Sequence, residues 1–249
     1  MDNAIYVGLS RQMTLQRAMD VTANNIANLD TAGFKVEALT MQEDPETPAL
    51  APATQPISYV LDHGLTRNFG QGALEATSNP LDLAIEGPGF FTVRTGDGPR
   101  YTRDGRFTLD ATGTLTDKHG SPVLDQSGSP IVLDPKNGPP TIARDGTISQ
   151  TSPTGQPVQG GKVGVVDFAD RTGLSKVGDN LYAAPDGVTP KAGADNSLHQ
   201  GMVEKSNVQA VSEVVRLISI SRAYENVAQM LSAAADLSES AVTRLGKAA

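Results

Sequence analysis

Residues 206–245 read SNVQAVSEVVRLISISRAYENVAQMLSAAADLSESAVTRL, a stretch of 40 residues that contains neither glycine nor proline. It begins with Ser206 and Gln209 at the spacing of a capping box, in which the two side chains satisfy free amides of the first helical turn. At a rise of ~1.5 Å per residue, the stretch predicts one helix about 60 Å long, well above the ~11–12-residue average. The chain is therefore predicted to end in a long helix.

The apolar residues of this helix fall on two neighbouring lines with alternating steps of three and four. One line is Val214, Leu217, Ser221, Tyr224, Ala228, Leu231, Ala235, Ser238, Val242 and Leu245, and the other is Ile220, Ala223, Val227, Met230, Ala234, Leu237 and Ala241. A single line forms the seam of a two-stranded coiled coil, whereas two lines make a face too wide for one partner helix. Either the helix packs on the β core of its own chain, or it stays mobile until other copies cover it.

The first 35 residues predict a second helix of about 25 residues, roughly 40 Å long. Five apolar residues share one heptad line in it: Ile5, Leu15, Met19, Ile26 and Leu29. The pattern ends at residues 28–33, where asparagine, aspartate and glycine supply capping and turn chemistry. We expect this helix to pair with the C-terminal one.

The middle of the chain reads as β structure, because all 16 prolines and 21 of the 25 glycines lie between residues 36 and 200. Short apolar or β-branched runs between turn signals favour antiparallel hairpins: residues 81–85, 90–94, 107–109, 131–133 and 163–168. Residues 42–58 contain four prolines and are predicted to be an extended connector. The predicted fold is α+β, divided into an N-terminal assembly helix (1–35), an extended connector (36–64), a β-rich domain (65–200) and a C-terminal assembly helix (201–249).

Composition argues against several classes of function. A formal net charge of −8 disfavours binding to nucleic acid and to an anionic membrane surface. The chain has no cysteine, no tryptophan and three scattered histidines, His63, His119 and His199. No catalytic motif such as Gly-x-Ser-x-Gly or His-Glu-x-x-His occurs. We therefore predict no catalytic, cofactor or metal site, and we do not expect an enzyme.

The N-terminus carries no pattern typical of general secretion. Met1-Asp2-Asn3 places an acid where a signal peptide has basic residues. The most apolar stretch, residues 214–237, is interrupted by four charged residues and is not expected to span a membrane. If the protein leaves the cytoplasm, we expect another route.

Five blocks of the sequence resemble the bacterial flagellar rod and hook proteins, the axial family. They occur in the order of that family and extend over nearly the whole chain. The blocks are ANNIANLDTAGFK (residues 23–35), DLAIEGPGFFTV (82–93), YTRDGRF (101–107), GMVEKSNV (201–208) and RAYE (222–225).

The resemblance implies a mechanical function. In axial proteins the two terminal helices run antiparallel and pack beside those of other subunits to form the wall of a hollow tube, with the β domain outside. It implies other flagellar rod subunits and copies of this chain as partners, and a location in the basal-body rod across the periplasm. It further implies export in unfolded form by the flagellar type III apparatus, with neither nucleic acid nor direct lipid binding.

The heptad lines and the family blocks together predict an assembly interface. Its residues are Ile5, Leu15, Met19, Asn25, Ile26, Asn28, Leu29, Gly33, Phe34, Val214, Leu217, Ile220, Arg222, Tyr224, Val227, Met230, Leu231, Leu237, Val242 and Leu245. Arg222 has a second interpretation, because it can form an exposed i,i+3 ion pair with Glu225 worth a few tenths of a kcal/mol.

Two other classes of function stay open on the residues alone. One is a secreted β-rich binding module that its terminal helices merely oligomerise into a closed assembly of fixed size. The other is a glycan-active enzyme using acidic residues of the β region. Adjacent acids such as Glu43 and Asp44 lie beside prolines and are expected to be solvated residues of the connector.

Overall fold

A computed structural model describes residues 2–46, 57–193 and 196–247. The fold is α+β, with one N-terminal and one C-terminal helix on either side of a β-rich region in the sequence. The chain forms two compact units. The helical unit comprises Met1–Ala27, Glu37–Arg67 and Gln209–Ala249, and the β unit comprises Asn28–Val36 and Asn68–Val208.

The helical unit contains both predicted helices, α1 (Asp2–Ala27) and α2 (Ala210–Lys247). They pack on each other in opposite directions, since Gly8 lies against Leu231 near one end and Asn25 bonds to Glu213 near the other. The tail therefore packs on the head helix of its own unit. The sequence analysis expected these two helices to pair, but considered only the β core or other copies as cover for the apolar face of the tail.

The predicted extended connector is wrong over its described residues. Strands β1 (Glu37–Glu46) and β2 (Ile57–Arg67) form an antiparallel hairpin that pairs Glu37 with Arg67 and Glu46 with Ile57. Pro45 lies within β1, and a two-stranded sheet tolerates it because each strand is an edge. Residues 47–56 of the predicted connector lie outside the described residues.

The β unit consists of short antiparallel strands, as predicted. A six-stranded sheet has the order β13-β14-β6-β5-β12-β15, a three-stranded sheet has the order β11-β10-β9, and β16-β4, β17-β3 and β7-β8 form pairs. The strands are β3 (Leu74–Ala76), β4 (Leu83–Glu86), β5 (Phe90–Thr95), β6 (Gly98–Thr102), β7 (Thr108–Leu109), β8 (Leu115–Thr116), β9 (Thr141–Ile142), β10 (Thr147–Thr151), β11 (Pro157–Lys162), β12 (Val165–Asp167), β13 (Ser175–Gly178), β14 (Leu181–Ala183), β15 (Lys191–Ala192), β16 (Ser197–Gln200) and β17 (Met202–Glu204). The run predicted at residues 131–133 forms isolated bridges instead of a strand.

Two hydrophobic clusters on opposite faces of β5 form the core of the β unit. Phe91 belongs to a cluster with Leu83 and Phe107, whereas its neighbour Phe90 belongs to a cluster with Tyr182. Successive side chains of a strand point to opposite faces, so adjacent phenylalanines serve separate clusters. The two clusters therefore cover both faces of β5 in the six-stranded sheet.

Three successive tight turns use the same aspartate chemistry. Oδ1 of Asp110, Asp117 and Asp125 accepts bonds from the amides two and four residues ahead, all at 2.8–2.9 Å. In each turn, the glycine three residues after the aspartate has a φ of 82–84°, a region that favours glycine. These turns reverse the chain repeatedly within residues 110–133.

Candidate assembly interface

The facing sides of α1 and α2 are closed by small and apolar side chains. Leu15 and Ala18 of α1 are 3% and 6% exposed, and Val227 of α2 is 8% exposed. A Cβ placed on Gly8 would lie 2.6 Å from Cδ2 of Leu231, so the helices approach closely where α1 has no side chain. The space that Gly8 leaves open on α1 is therefore filled by Leu231 of the opposite helix.

Asn25 joins the three parts of the helical unit. Its Nδ2 donates to Oε2 of Glu213 (3.0 Å) and to the carbonyl oxygen of Glu37 (2.8 Å), and its Oδ1 accepts from the amide of Glu37 (3.0 Å). Asn25 and Glu213 are both buried. Because buried polar groups need partners, these bonds fix α1, β1 and α2 relative to one another.

Two grooves between the helices have apolar walls. One has a volume of about 300 Å³ and is lined by residues including Val7, Met230 and Ala234. The other, of about 290 Å³, is lined by residues including Leu15 and Ile220. Among the described residues there is no group of three or more His, Cys, Asp or Glu side chains placed to hold a metal. The grooves are typical of packing surfaces.

Large apolar side chains are also exposed on both helices. Their exposed fractions are 62% for Tyr6, 47% for Leu9, 66% for Met13, 79% for Val211, 43% for Val214, 62% for Val215, 49% for Ile218, 63% for Met230 and 67% for Leu237. Contiguous exposed apolar surface is typical of interaction sites. The helical unit thus offers surface to partners in addition to its own closed interior.

The predicted interface residues divide by exposure. Leu15, Asn25, Gly33, Phe34 and Val227 are buried; Ile5, Met19, Ile26, Asn28, Leu29, Leu217, Ile220, Tyr224 and Leu231 are partly exposed; Val214, Arg222, Met230 and Leu237 are exposed. The side chains of Val242 and Leu245 lie outside the described residues. The role of all these residues in assembly stays a prediction. The side chains of the buried ones already pack against other residues of the same chain.

A buried charge cluster in the β unit brings distant sequence blocks together. Oε1 of Glu204 lies 2.5 Å from Nζ of Lys35, and its Oε2 accepts from Nη1 of Arg103 at 3.0 Å. The exposed fractions of the three side chains are 0% for Glu204, 0% for Lys35 and 2% for Arg103. We call this group the junction cluster, because Lys35 and Glu204 lie close in sequence to the ends of α1 and the start of α2.

Backbone groups add hydrogen bonds to the junction cluster. Glu204 Oε1 also accepts from the amide of Gly72, Lys35 donates to the carbonyl of Gly70, and Arg103 donates to the carbonyl of Gly87. Burial lowers the pKa of Lys35 and of Arg103, and the Glu204 carboxylate opposes both shifts. Two cations share one anion away from water, so the cluster depends strongly on that single carboxylate.

Gly33 allows the chain to enter the junction cluster. Its φ is +67°, and a Cβ there would lie 2.4 Å from the backbone carbon of Arg103. The amide of Gly33 donates to the carbonyl of Glu204 at 2.7 Å, and Asn207 accepts from the amide of Val36 at 2.8 Å. Only glycine combines this conformation with this close approach.

Sequence reasoning placed Gly33 and Phe34 at an interface between copies and did not include Lys35, Arg103 or Glu204. One signal was available, since each of these charges stands inside a family block. In the structure, Lys35, Arg103 and Glu204 contact one another within the β unit.

Comparison with known proteins shows which family shares these sequence blocks. Three family descriptions match the chain: "Flagella basal body rod protein" over residues 5–35, "Flagellar hook protein FlgE/F/G D1 domain" over 84–150, and "Flagellar basal body rod FlgEFG protein C-terminal" over 199–244. A relative from Caulobacter vibrioides, flagellar basal-body rod protein FlgF, is 49% identical over 99% of both chains. The chain belongs to the flagellar basal-body rod protein family.

Other rod proteins are similar over comparable lengths. A FlgF of Mesorhizobium japonicum is 35% identical over 99% of both chains, and a FlgG of Bacillus subtilis is 33% identical over 92% of this chain and 93% of its own. As a member of this family, the chain is a structural subunit of the flagellar basal-body rod and assembles with other rod subunits. No described helix is long and apolar enough to cross a membrane.

The junction cluster takes one residue from each matched region of this rod protein. Lys35 lies in the first, Arg103 in the second and Glu204 in the third. One residue from each of the three matched regions therefore meets at this buried cluster.

Proposed function

We propose that this chain is a proximal-rod subunit whose copies polymerise through their terminal helices into a hollow shaft that transmits torque to the hook. The full-length similarity to FlgF proteins supports the proximal position. The observation that carries the polymerisation is the pairing of α1 and α2 with exposed apolar side chains left on both outer faces.

In this mechanism the inner faces of α1 and α2 form an antiparallel, coiled-coil-like pair, and the outer faces contact neighbouring subunits. The β unit lies outside the wall of the shaft. The junction cluster holds residues 33–36 beside residues 204–207, so the segments leading to the two helices leave the β unit together.

The chemistry of the chain suits the export route that its family resemblance implies. The subunit passes unfolded through the flagellar type III apparatus, and a chain without cysteine forms no disulfide that would block passage. The assembled rod crosses the periplasm without direct contact with lipid. Its function requires no catalysis.

A distal-rod position is the second candidate, because the FlgG of Bacillus subtilis is similar over most of its length. Labelling distinguishes the two positions. A peptide tag inserted in the exposed turn at residues 153–155 is expected to leave motility intact and to place gold label on the proximal part of isolated rods. Label on the distal part would favour the second candidate.

Deletion of the protein tests the function itself. Cells that lack the chain are expected to build no complete rod and to be non-motile, and the tagged chain should restore both. A chain lacking residues 1–35 should not be incorporated. If isolated rods form normally without the protein, the proposal is wrong.

A further inference from the structure

One segment of the β unit comes from the start of the chain. Residues 28–36 follow α1 in the sequence, yet they belong to the β unit, whose remaining residues begin at Asn68. We call residues 28–36 the strap. Ala32, Phe34 and Lys35 of the strap are 5%, 1% and 1% exposed. The strap is therefore a buried part of a unit that is otherwise formed by a distant stretch of sequence.

Hydrogen bonds hold both halves of the strap. In its first half, Asn180 Nδ2 donates to the carbonyl oxygen of Ala32 at 2.8 Å. In its second half, the amide of Asn68 donates to the carbonyl oxygen of Val36 at 3.0 Å. These bonds add to those of the junction cluster. Each of them replaces a bond to water, so the net contribution of each bond to closure of the strap is small.

The strap lies outside the hydrophobic core of the β unit. Among the described residues, neither of the two hydrophobic clusters includes a member of residues 28–36. Phe34 is buried, but its ring lies under a cation, with Lys176 Nζ 4.3 Å from the ring centre. Segments with few contacts to the core are the ones that open locally while the rest of a protein stays folded. The strap is a segment of this kind.

Lys35 makes closure of the strap less favourable than a neutral side chain would. Closure brings its ammonium group to a site where Arg103 is already buried beside Glu204. Burial is the largest cause that lowers the pKa of Lys35, and attraction by Glu204 opposes this shift without reversing it. Arg103 and Arg171 lower the pKa further. The closed site therefore disfavours the charged form of the lysine.

We propose that the strap opens and closes on a β unit that stays folded, and that Lys35 keeps the closed state weak enough to open. Opening breaks the contacts of residues 28–36 and leaves both hydrophobic clusters intact. The freed segment extends over up to about 30 Å at ~3.3–3.6 Å per residue. The chain that follows α1 can thereby move while the sheets keep their structure. This opening is a property of the single chain, whether or not the chain polymerises.

Hydrogen exchange of the purified full chain, measured by NMR, tests the opening. The amides of Gly33 and Val36 are hydrogen-bonded in the closed strap. After correction for intrinsic rates, we expect both to exchange with the same protection factor and about tenfold or more faster than the amides of β5, because opening needs less free energy than unfolding. Equal protection of the strap and of β5 would overturn the inference. So would unequal protection of the two strap amides, which would indicate fluctuation of single residues.

Ile148→Val separates opening of the strap from unfolding of the β unit. Ile148 is completely buried in the same hydrophobic cluster as Phe91 of β5. Loss of one buried methylene group should speed exchange of the β5 amides about fivefold. The strap amides should keep their rate, because the core is folded in both the open and the closed state. Acceleration of the strap by the same factor would mean that it opens only when the whole unit unfolds, and would overturn the inference.

Lys35→Met tests the role of the buried cation. Methionine is flexible enough to fill the space of the lysine side chain. The substitution leaves no partner orphaned, because Glu204 Oε1 keeps its bond from the amide of Gly72 and the carbonyl oxygen of Gly70 keeps its bond from Asn207 Nδ2. We therefore expect exchange of the strap amides to slow about tenfold, the factor that corresponds to one pKa unit.

Lys136→Met is the matched control, because Lys136 is an exposed lysine of the same unit. It should leave the exchange of the strap unchanged. Faster or unchanged exchange of the strap in Lys35→Met would show that the lysine does not weaken closure, and equal slowing in both variants would show that the effect is not specific to the buried site. Either result would overturn the role of Lys35. All these measurements use the single chain, so they leave the proposed function standing whatever their outcome.

Discussion

The helical unit and the β unit treat their apolar side chains differently. In the β unit, Leu83, Phe90, Phe91 and Tyr182 are completely buried within the two clusters of the core. By contrast, nine of the 13 large apolar side chains that are exposed among the described residues belong to the helical unit. The β unit closes its own core, whereas the helical unit leaves apolar surface for partners.

This difference suits a subunit that must fold and also polymerise. Burial of apolar surface stabilises a fold wherever the covering atoms come from, the same chain or another. In the proposed assembly, the closed β unit would need no partner for its core, and the exposed helix faces would be stabilised by contact with neighbouring subunits. Substitutions in the two units should therefore separate loss of folding from loss of assembly.

The largest loss of stability is expected from Glu204→Gln, which leaves Lys35 and Arg103 buried without their anion. Breaking a buried ion pair from one side costs about 3–5 kcal/mol. Urea unfolding of the purified chain, followed by circular dichroism, measures the change in the free energy of unfolding. Glu75→Gln is the matched control, because its partner Lys205 lies at 2.9 Å but both side chains are about half exposed. Such surface pairs contribute about 0–1 kcal/mol. Similar losses in the two variants would contradict the role of the junction cluster.

Gly33→Ala should cost at most about as much as Glu204→Gln, and more than an ordinary glycine substitution at positive φ. An alanine in the left-handed region costs about 1–2 kcal/mol. At residue 33 the new Cβ also meets the backbone of Arg103, which adds about 1–3 kcal/mol of overpacking. Gly120→Ala isolates the first effect, since Gly120 has a φ of +84° with no atom within 4 Å of the added Cβ. Equal losses of unfolding free energy at both sites would show that the close approach is unimportant.

The sequence predicted what depends on neighbours along the chain. The absence of glycine and proline predicted α2, and their abundance predicted an antiparallel β region; both are confirmed. The prediction of an extended connector failed at β1 and β2. Pro45 was taken as a sign of an unpaired segment, although an edge strand accepts proline. The residues 57–61, ISYVL, carried a strand signal that the prolines outweighed.

The junction cluster could not be predicted from periodicity. Lys35 and Glu204 are 169 residues apart, and no local pattern reports which distant charges will meet. The heptad lines have a related ambiguity. They identify side chains that prefer burial, and this preference is the same for a partner in the same chain and for one in another copy. Leu15 and Val227 satisfy it within the helical unit.

A comparison of Leu231→Asp with Leu237→Asp separates the inner from the outer surface of α2. Leu231 packs against Gly8, so its replacement should lower the unfolding free energy of the helical unit by about 1–3 kcal/mol. Leu237 is 67% exposed, and its replacement should change stability by less than about 0.5 kcal/mol. Both variants should nevertheless be absent from isolated basal bodies, with the β unit still folded. Normal incorporation of Leu237→Asp would remove it from the assembly surface.

The smallest expected effect is a pH dependence at the surface of the β unit. The bond between Nε2 of His199 and Oε2 of Glu86, at 2.7 Å, is the largest cause that lowers the pKa of the Glu86 carboxyl, followed by the bond from Ser197. A carboxyl with a lowered pKa in the folded state contributes stability above its unfolded pKa and loses it as the pH falls through the folded value. His199→Ala should therefore reduce the free energy of unfolding at neutral pH and make it fall less steeply as the pH is lowered. Below both the folded and the unfolded pKa of Glu86, the substitution should leave stability unchanged. Ser197→Ala should produce the same change to a lesser degree. Urea unfolding across the acid range measures both, and a profile that shifts equally at every pH would mean that His199 acts through packing and leaves the Glu86 charge unaffected.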